Sequence, residues 1–320
     1  MAFLADHPEV LVPGRSVTVE VPATSANLGP GFDCFGLALD WRESVTLEVI
    51  AGGYEIEVSG EGADHIPRDA SHLIMRSALV GLADLQVAAP GLRLSCHNTI
   101  PHGRGLGSSS AAIVAGLLGA QSLAGRPLDQ GWLLRHADAI EGHPDNVAAA
   151  VYGGLALAYD GPDGVTAASV GVIDDVAAVL FIADVPVATH VTRDLLPDLV
   201  AHSDAAANSG RAALLVHAVS TDPSLLWVAT RDWLHQDYRQ RAMPQSHELM
   251  QELRGRGHAA VISGAGPTVL VLGRAADLTE IENEHPPGFR TVRAQIGTGA
   301  RLAEDDAPQQ HQNQGVTQGG

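Results

Sequence analysis

Two short segments of the chain carry residues whose types and spacing could do chemistry. The first is PHGRGLGSSSA, from Pro101 and His102 to Ala111. It sets Gly103, Gly105 and Gly107 around Arg104 and Leu106, and then runs through Ser108, Ser109 and Ser110 into a long apolar stretch. Glycines let a backbone curl tightly and approach a ligand closely. A helix that starts near Ser109 presents unpaired N–H groups and the positive end of its dipole. Such a mouth holds a phosphate without any ammonium side chain. Arg104 is expected to add charge from inside the loop. Read by itself, the segment is also compatible with a Gly-rich turn and an ordinary serine cap.

The second segment is EGHPDN, which places Glu141, Asp145 and Asn146 in one tight turn. Glu141 falls at the predicted C-terminus of a helix, where the dipole disfavours a carboxylate by roughly 0.3–1 kcal/mol. A nearby cation reverses that sign, and Mg²⁺, a hard ion held by carboxylate, hydroxyl and phosphate oxygens, is the natural candidate. A carboxylate that is simply exposed is the alternative.

The composition removes several other chemistries. All 19 basic residues are arginines. A Walker A loop, a pyridoxal enzyme and a protein kinase each need a lysine, so all three are excluded. The formal charge of −18 disfavours nucleic acid and anionic membrane surfaces. Cys34 and Cys96, the two cysteines, make no disulfide framework and no CxxC pair. The 15 histidines form no HExxH motif. Neither a secretory leader nor an uninterrupted apolar span is recognisable, and the chain reads as cytoplasmic.

The elements that must position these residues follow from periodicity and punctuation. A length of 320 residues suggests about two domains. SVTVEVPA, SVTLEVI and YEIEVSG alternate as strands do, and the last two could pair as a hairpin across AGG. SHLIMRSALVGLADL has helical spacing with Ser71 at the cap position, and GLRLSCHNTI reads as a strand. Helices are expected over Ser109–Leu123, Asp129–Glu141 and Asn146–Tyr152, with Asp129 capping the second. The pattern restarts near DGPDG, which sets a boundary between 14–160 and 161–300. Beyond it VAAVLFIADVPV, HAAVISGAGPTVLVLG and FRTVRAQI supply strands. Helices are expected over Val191–Leu199, Asp204–Val219, Pro223–Leu234 and Gln245–Arg254, and in DLTEIENEH. From about Arg301 the Gln-rich composition predicts a disordered tail, 301–320.

Three segments in this order resemble the GHMP kinases: VPATSANLGPGFDCFGLAL, PHGRGLGSSSAA and ISGAGPTVLVL. The resemblance covers about residues 14–300. PATSANLGPGFD with EGHPDNVAAAVYGG is similar to the branch of that family acting on L-homoserine. The resemblance implies an α+β architecture of two domains, the first like domain 2 of ribosomal protein S5 and ATP-binding, the second ferredoxin-like. It implies ATP and Mg²⁺, L-homoserine as the small-molecule substrate, a place in threonine biosynthesis, and a homodimer.

Carried over by position, Pro101–Ala111 is the triphosphate cradle, and Ser109 and Glu141 are the Mg²⁺ partners. Asn27 and Asp33 resemble homoserine contacts, and Asn146 the residue at the reacting hydroxyl. Arg193 and Arg239 resemble two arginines near the amino-acid carboxylate, a task suited to a planar fork. Asn146, Arg193, Glu141 and Ser109 are thus the expected catalytic set. Two assignments stay open: Arg241 could replace Arg239, because Met243-Pro244-Gln245 departs from the usual run, and Ser108 could replace Ser109 in a triplet of serines. Residues 69–76 are expected to line the adenine pocket. A mevalonate-type kinase or decarboxylase, and a non-catalytic sensor of nucleotide or amino acid, are the alternatives on the same fold. The first two commonly need an Asp–Lys pair that this chain cannot supply.

Overall fold

The structure, a computed structural model, describes residues 8–303. In chain order its first half runs β1 (Glu9–Val10), β2 (Ser16–Ala26), β3 (Phe35–Val49), β4 (Gly53–Gly60), α1 (Leu73–Asp84), β5 (Val87–Ala88), β6 (Gly91–Asn98), α2 (Ser108–Leu123), α3 (Gln130–Glu141), α4 (Pro144–Tyr152), β7 (Leu155–Gly161) and β8 (Gly164–Val170). The second half runs β9 (Val176–Ala183), α5 (Thr189–Arg193), α6 (His202–Ser220), α7 (Leu226–Ala229), α8 (Pro244–Gly255), β10 (Ala259–Ile262), β11 (Val269–Arg274), β12 (Phe289–Gln295) and β13 (Arg301–Leu302).

Two sheets organise the chain. One has seven strands in the order β13-β2-β3-β6-β4, with β7 beside the start of β3 and β8 beside β7. The other is antiparallel, in the order β10-β11-β9-β12. Helix α2 lies against α1 and β2, and α4 against β2, β3 and β7. Val114, Leu117 and Leu118 of α2 are buried with Val19, Leu37 and Leu47 in the core of the first sheet. Phe181, Ile262 and Val271 form a second core with Leu249 and Leu253 of α8. α2 is apolar nearly all round, as expected of a helix enclosed by other elements.

Several expectations from the sequence are corrected. β4 does not fold back on β3; it lies parallel to β6, which occupies the edge of β3 instead. The two alternating runs are therefore joined through β6, with α1 as the crossover that a parallel pair requires. The boundary expected at 161 falls inside the β7–β8 hairpin, and the chain changes sheet only after Val170. Ser71 does not cap α1: its hydroxyl bonds Asp69, and the helix begins after His72. The helix expected over 191–199 is α5 alone, since Pro197 lacks an N–H and disfavours helix in the residue before it. The helix expected over 223–234 stops at Ala229; past it the buried Asp232 carboxylate takes the N–H groups of Leu234, His235 and Gln236, so the end of the expected stretch is a side-chain-bonded turn. DLTEIENEH forms turns, not a helix. Arg301 and Leu302, expected in the tail, pair with Glu20 and Val19 of β2; positions 304–320 of that tail lie outside the described residues.

Candidate active site

The glycine loop leaves the end of β6 and enters α2. Its start is fixed by Glu43 of β3, whose Oε1 accepts the N–H groups of Thr99 (3.1 Å) and Ile100 (2.9 Å). Burial pushes the Glu43 carboxyl up to about 6, and these two hydrogen bonds oppose the rise. Gly105 and Gly107 have φ of 71° and 69°. A Cβ at Gly105 would stand 2.1 Å from the Ser263 carbonyl oxygen, and one at Gly107 1.9 Å from Thr24 Oγ1. Both positions thus exclude a side chain twice over, by conformation and by space. The loop is clasped on both sides: Thr24 N–H donates to the Leu106 carbonyl (3.0 Å) and Ser263 Oγ to that of Gly105 (2.6 Å). No side chain caps α2, so the donors of its first turn face the cleft unclaimed by a cap.

Arg104 departs from its expected role. Its Nε donates to the Ala183 carbonyl (2.8 Å), Nη1 to that of His102 (2.7 Å) and Nη2 to that of Asp184 (2.6 Å). The guanidinium fastens the loop to the end of β9 and does not line the cleft. The carbonyls that end a strand need donors, and the planar fork meets two of them, those of Ala183 and Asp184, together with the loop carbonyl of His102.

Glu141 ends α3 across from the first turn of α2. Ser109 Oγ donates to its Oε2 (2.7 Å) and Ser110 Oγ to its Oε1 (3.0 Å). Ser109 and Ser110, and not Ser108, therefore hold the hydroxyls beside Glu141. Among the described residues no three His, Cys, Asp or Glu side chains converge on a metal position. A carboxylate and a hydroxyl beside free N–H donors fit a hard ion that takes its remaining oxygens from a phosphate chain and water.

The turn into α4 brings in His143, which the sequence reading left out, beside Asp145 and Asn146. His143 Nδ1 lies 3.2 Å from Asp145 Oδ1, and its Nε2 4.0 Å from Glu141 Oε1. The hydrogen bond to Asp145 holds the His143 pKa above its usual value against the effect of burial, and the charges of Asp145 and Glu141 add to the rise. Asp145 also accepts the Asn146 N–H (2.7 Å), and Thr24 Oγ1 donates to Asn146 Oδ1 (2.9 Å). The Asn146 carboxamide is thereby oriented into the cleft.

The far wall is built from the turn between β2 and β3. Asn27 and Asp33 both adopt left-handed backbone, with φ of 68° and 54°. Asn27 Nδ2 donates to the Gly264 carbonyl (2.9 Å), and its Oδ1 accepts the Asp33 N–H (2.9 Å). Arg193, at the end of α5, grips the Asp33 carboxylate through Nη2 (2.6 Å) and Nη1 (3.0 Å). Arg239 is buried, lines the cleft and lies 5.4 Å over the Phe32 ring, which Arg193 approaches to 5.7 Å. Burial, with Arg193 adding to it, pushes Arg239 down to about 10, so it stays charged at neutral pH. Arg241 is exposed, so Arg239 is the arginine that faces the cleft.

The structure thus brings Asn27, Ser109, Glu141, Asn146, Arg193 and Arg239 to one cleft of about 110 Å³ between the glycine loop, the α3–α4 turn and Gly264. Asp33 joins them through Arg193. A neighbouring cavity of about 320 Å³ shares Ser108 and Ser109 and is lined by Ile66, Pro67, His72 and Ile74, which includes part of the 69–76 segment. Of the residues that the sequence reading missed, His143 stood inside EGHPDN and Gly264 inside ISGAGP. Thr24 stood inside VPATSANLGPG, and Thr189 carried no signal of its own.

Comparison with known proteins agrees with this geometry. A family model for the GHMP kinases N terminal domain matches residues 72–154. The chain is 43% identical over 297 residues to a homoserine kinase of Corynebacterium efficiens, covering 90% of this chain and 96% of that one. It is 49% identical over 270 residues to a homoserine kinase of Streptomyces coelicolor, covering 83% and 87%. The crystal structure of homoserine kinase from Cytophaga hutchinsonii superposes with a TM-score of 0.81 at 26% identity, covering 95% of this chain and all of that one. No helix among the described residues is long and apolar enough to cross a membrane. With the fold, the glycine loop and the cleft in agreement, the chain belongs to the homoserine kinases of the GHMP kinase family.

Proposed function

We propose that the chain transfers the γ-phosphoryl group of ATP to the side-chain hydroxyl of L-homoserine, releasing ADP and O-phospho-L-homoserine. One observation carries this reading: the uncapped first turn of α2 and the guanidinium groups of Arg193 and Arg239 line the same cleft, with Asp33 held by Arg193. The triphosphate lies along Pro101–Ala111, with its terminal phosphate at the first turn of α2 and the nucleoside toward the cavity beside His72. Ser109 and Glu141 would hold Mg²⁺, which would supply charge neutralisation at the phosphate oxygens.

The rest of the work belongs to the chain. Asp33 takes the substrate ammonium, Arg193 and Arg239 take the carboxylate, and Asn27 keeps Asp33 in place. Asn146, held by Thr24, orients the hydroxyl toward the phosphorus. Such a site accelerates transfer by positioning and by charge neutralisation. The α2 dipole, not Arg104, supplies the protein's positive field at the transferred group. The reading extends to a first domain like domain 2 of ribosomal protein S5, a ferredoxin-like second domain, a homodimer, and a cytoplasmic setting where ATP and free amino acids are available.

The test is ADP release, coupled to a reporter reaction, with L-homoserine, L-serine, mevalonate and galactose side by side. Turnover with L-homoserine well above the others is the expected outcome. Turnover with mevalonate alone, or with none of the four, overturns the reading.

A further inference from the structure

Beneath the amino-acid end of the cleft lies a histidine that the chemistry above does not use. His235 is fully buried. Its Nε2 lies 2.8 Å from the Gly29 carbonyl oxygen, and its Nδ1 3.1 Å from Arg239 Nη1. Its ring stacks on Phe32, with centroids 5.3 Å apart and planes at 29°. An arginine N–H can only donate, so Nδ1 must be the acceptor. The remaining ring proton then sits on Nε2 and donates to Gly29. The imidazole is neutral, with a single tautomer.

The charged surroundings agree. Asp232, 3.7 Å from Nε2, favours a proton, but its oxygens already accept three backbone N–H groups. Arg239 opposes protonation and burial opposes it most, while Asp33 favours it. The result is a pKa below the ordinary histidine value.

Arg239 depends on this ring. Its Nη1 donates to His235 and, at 3.2 Å, to the Gly264 carbonyl, and its Nε is buried without a partner. Nη2 makes no hydrogen bond among the described residues. Gly29 and Phe32 belong to the same turn as Asn27 and Asp33, so His235 ties both halves of the amino-acid receptor together.

We propose that His235 is a positioning residue for the substrate carboxylate: a neutral imidazole that clamps Arg239 to the Asn27–Asp33 turn and leaves Nη2 for the substrate. This rests on the function proposed above. It predicts that the two ends of the clamp can be separated. His235→Asn keeps an acceptor near the place of Nδ1, His235→Gln keeps a donor near that of Nε2, and His235→Leu keeps neither.

The experiment is steady-state kinetics of the four proteins with L-homoserine and with 3-aminopropan-1-ol, its analogue without the carboxylate. His235→Leu and His235→Gln should raise the KM for homoserine on the order of tenfold, the scale of a lost hydrogen bond to a charged group. The KM for ATP should not move, which also shows that the variants are folded. Their preference for homoserine over the analogue should fall by a similar factor, and His235→Asn should restore most of it. A His235→Leu enzyme with unchanged preference, or a His235→Asn enzyme no better than Leu, overturns the inference while active wild type preserves the function. Wild type inert toward homoserine overturns both.

Discussion

Asp33 and Arg193, 160 positions apart in the chain, meet through two parallel hydrogen bonds of 2.6 and 3.0 Å in the wall of the cleft. Each is the partner proposed for one charge of the substrate. The internal pair satisfies both groups, and a zwitterion offers each a replacement without leaving either charge alone. A ligand with only one charge would strand the other member of the pair.

Asp33→Asn and Arg193→Met should therefore each raise the KM for L-homoserine by tenfold to a hundredfold, from roughly 1.5–3 kcal/mol per charged hydrogen bond. Arg193→Met should also lower kcat, because the carboxylate orients the hydroxyl. Steady-state kinetics at saturating ATP measures both, and an unchanged KM in either variant contradicts the zwitterion receptor.

Glu141→Gln removes the one charge at the proposed ion site and keeps the shape that Ser109 and Ser110 bond. Turnover should drop sharply at limiting Mg²⁺ and recover in part as Mg²⁺ is raised, with the KM for homoserine little changed. A metal titration of initial rate checks this. Near-normal activity at limiting Mg²⁺ would show that Glu141 holds no ion.

Gly107→Ala should cost about 1–3 kcal/mol of stability, the scale of a strained backbone position, and raise the KM for ATP. Gly257, with φ of 92° and open space around its Cα, is the control, since alanine there meets only the backbone term. Chemical unfolding of both variants separates strain from the collision with Thr24.

The Glu43 carboxyl, raised from 4.5 to about 6, gives a pH dependence of definite sign. Between those values the folded protein binds more protons than the unfolded chain. Stability therefore falls as pH rises through that window and levels off above it, at a cost of ~2 kcal/mol. Glu43→Gln removes the buried charge and keeps an acceptor for Thr99 and Ile100. Relative to wild type, the variant should be more stable at pH 7.5 than at pH 4.5. Thermal unfolding at the two pH values tests it, and an equal difference at both would refute the burial argument.

What could be read before folding was chemistry set within about ten residues. Three glycines ahead of three serines and an apolar run specify a tight loop feeding a helix, and α2 starts one residue before the expected Ser109, with Gly107 and no side chain at its cap. Asp129 caps α3, with its carboxylate 2.9 Å from the Trp132 N–H, as local spacing implied. Asp232 shows the limit of such rules: it and Leu234 read as helix, yet its buried carboxylate takes the N–H groups of Leu234, His235 and Gln236.

Contacts between distant segments were decided by the fold alone. β6 and not β4 pairs with β3; Arg104 serves the end of β9 and not a phosphate; Ser109 and not Ser108 reaches Glu141; and His235 finds Gly29 across 206 positions. Residue order determines backbone conformation and periodicity, because those depend on a side chain and its near neighbours. Which side chains face each other depends on how sheets and helices stack, and that packing is settled by the whole core at once.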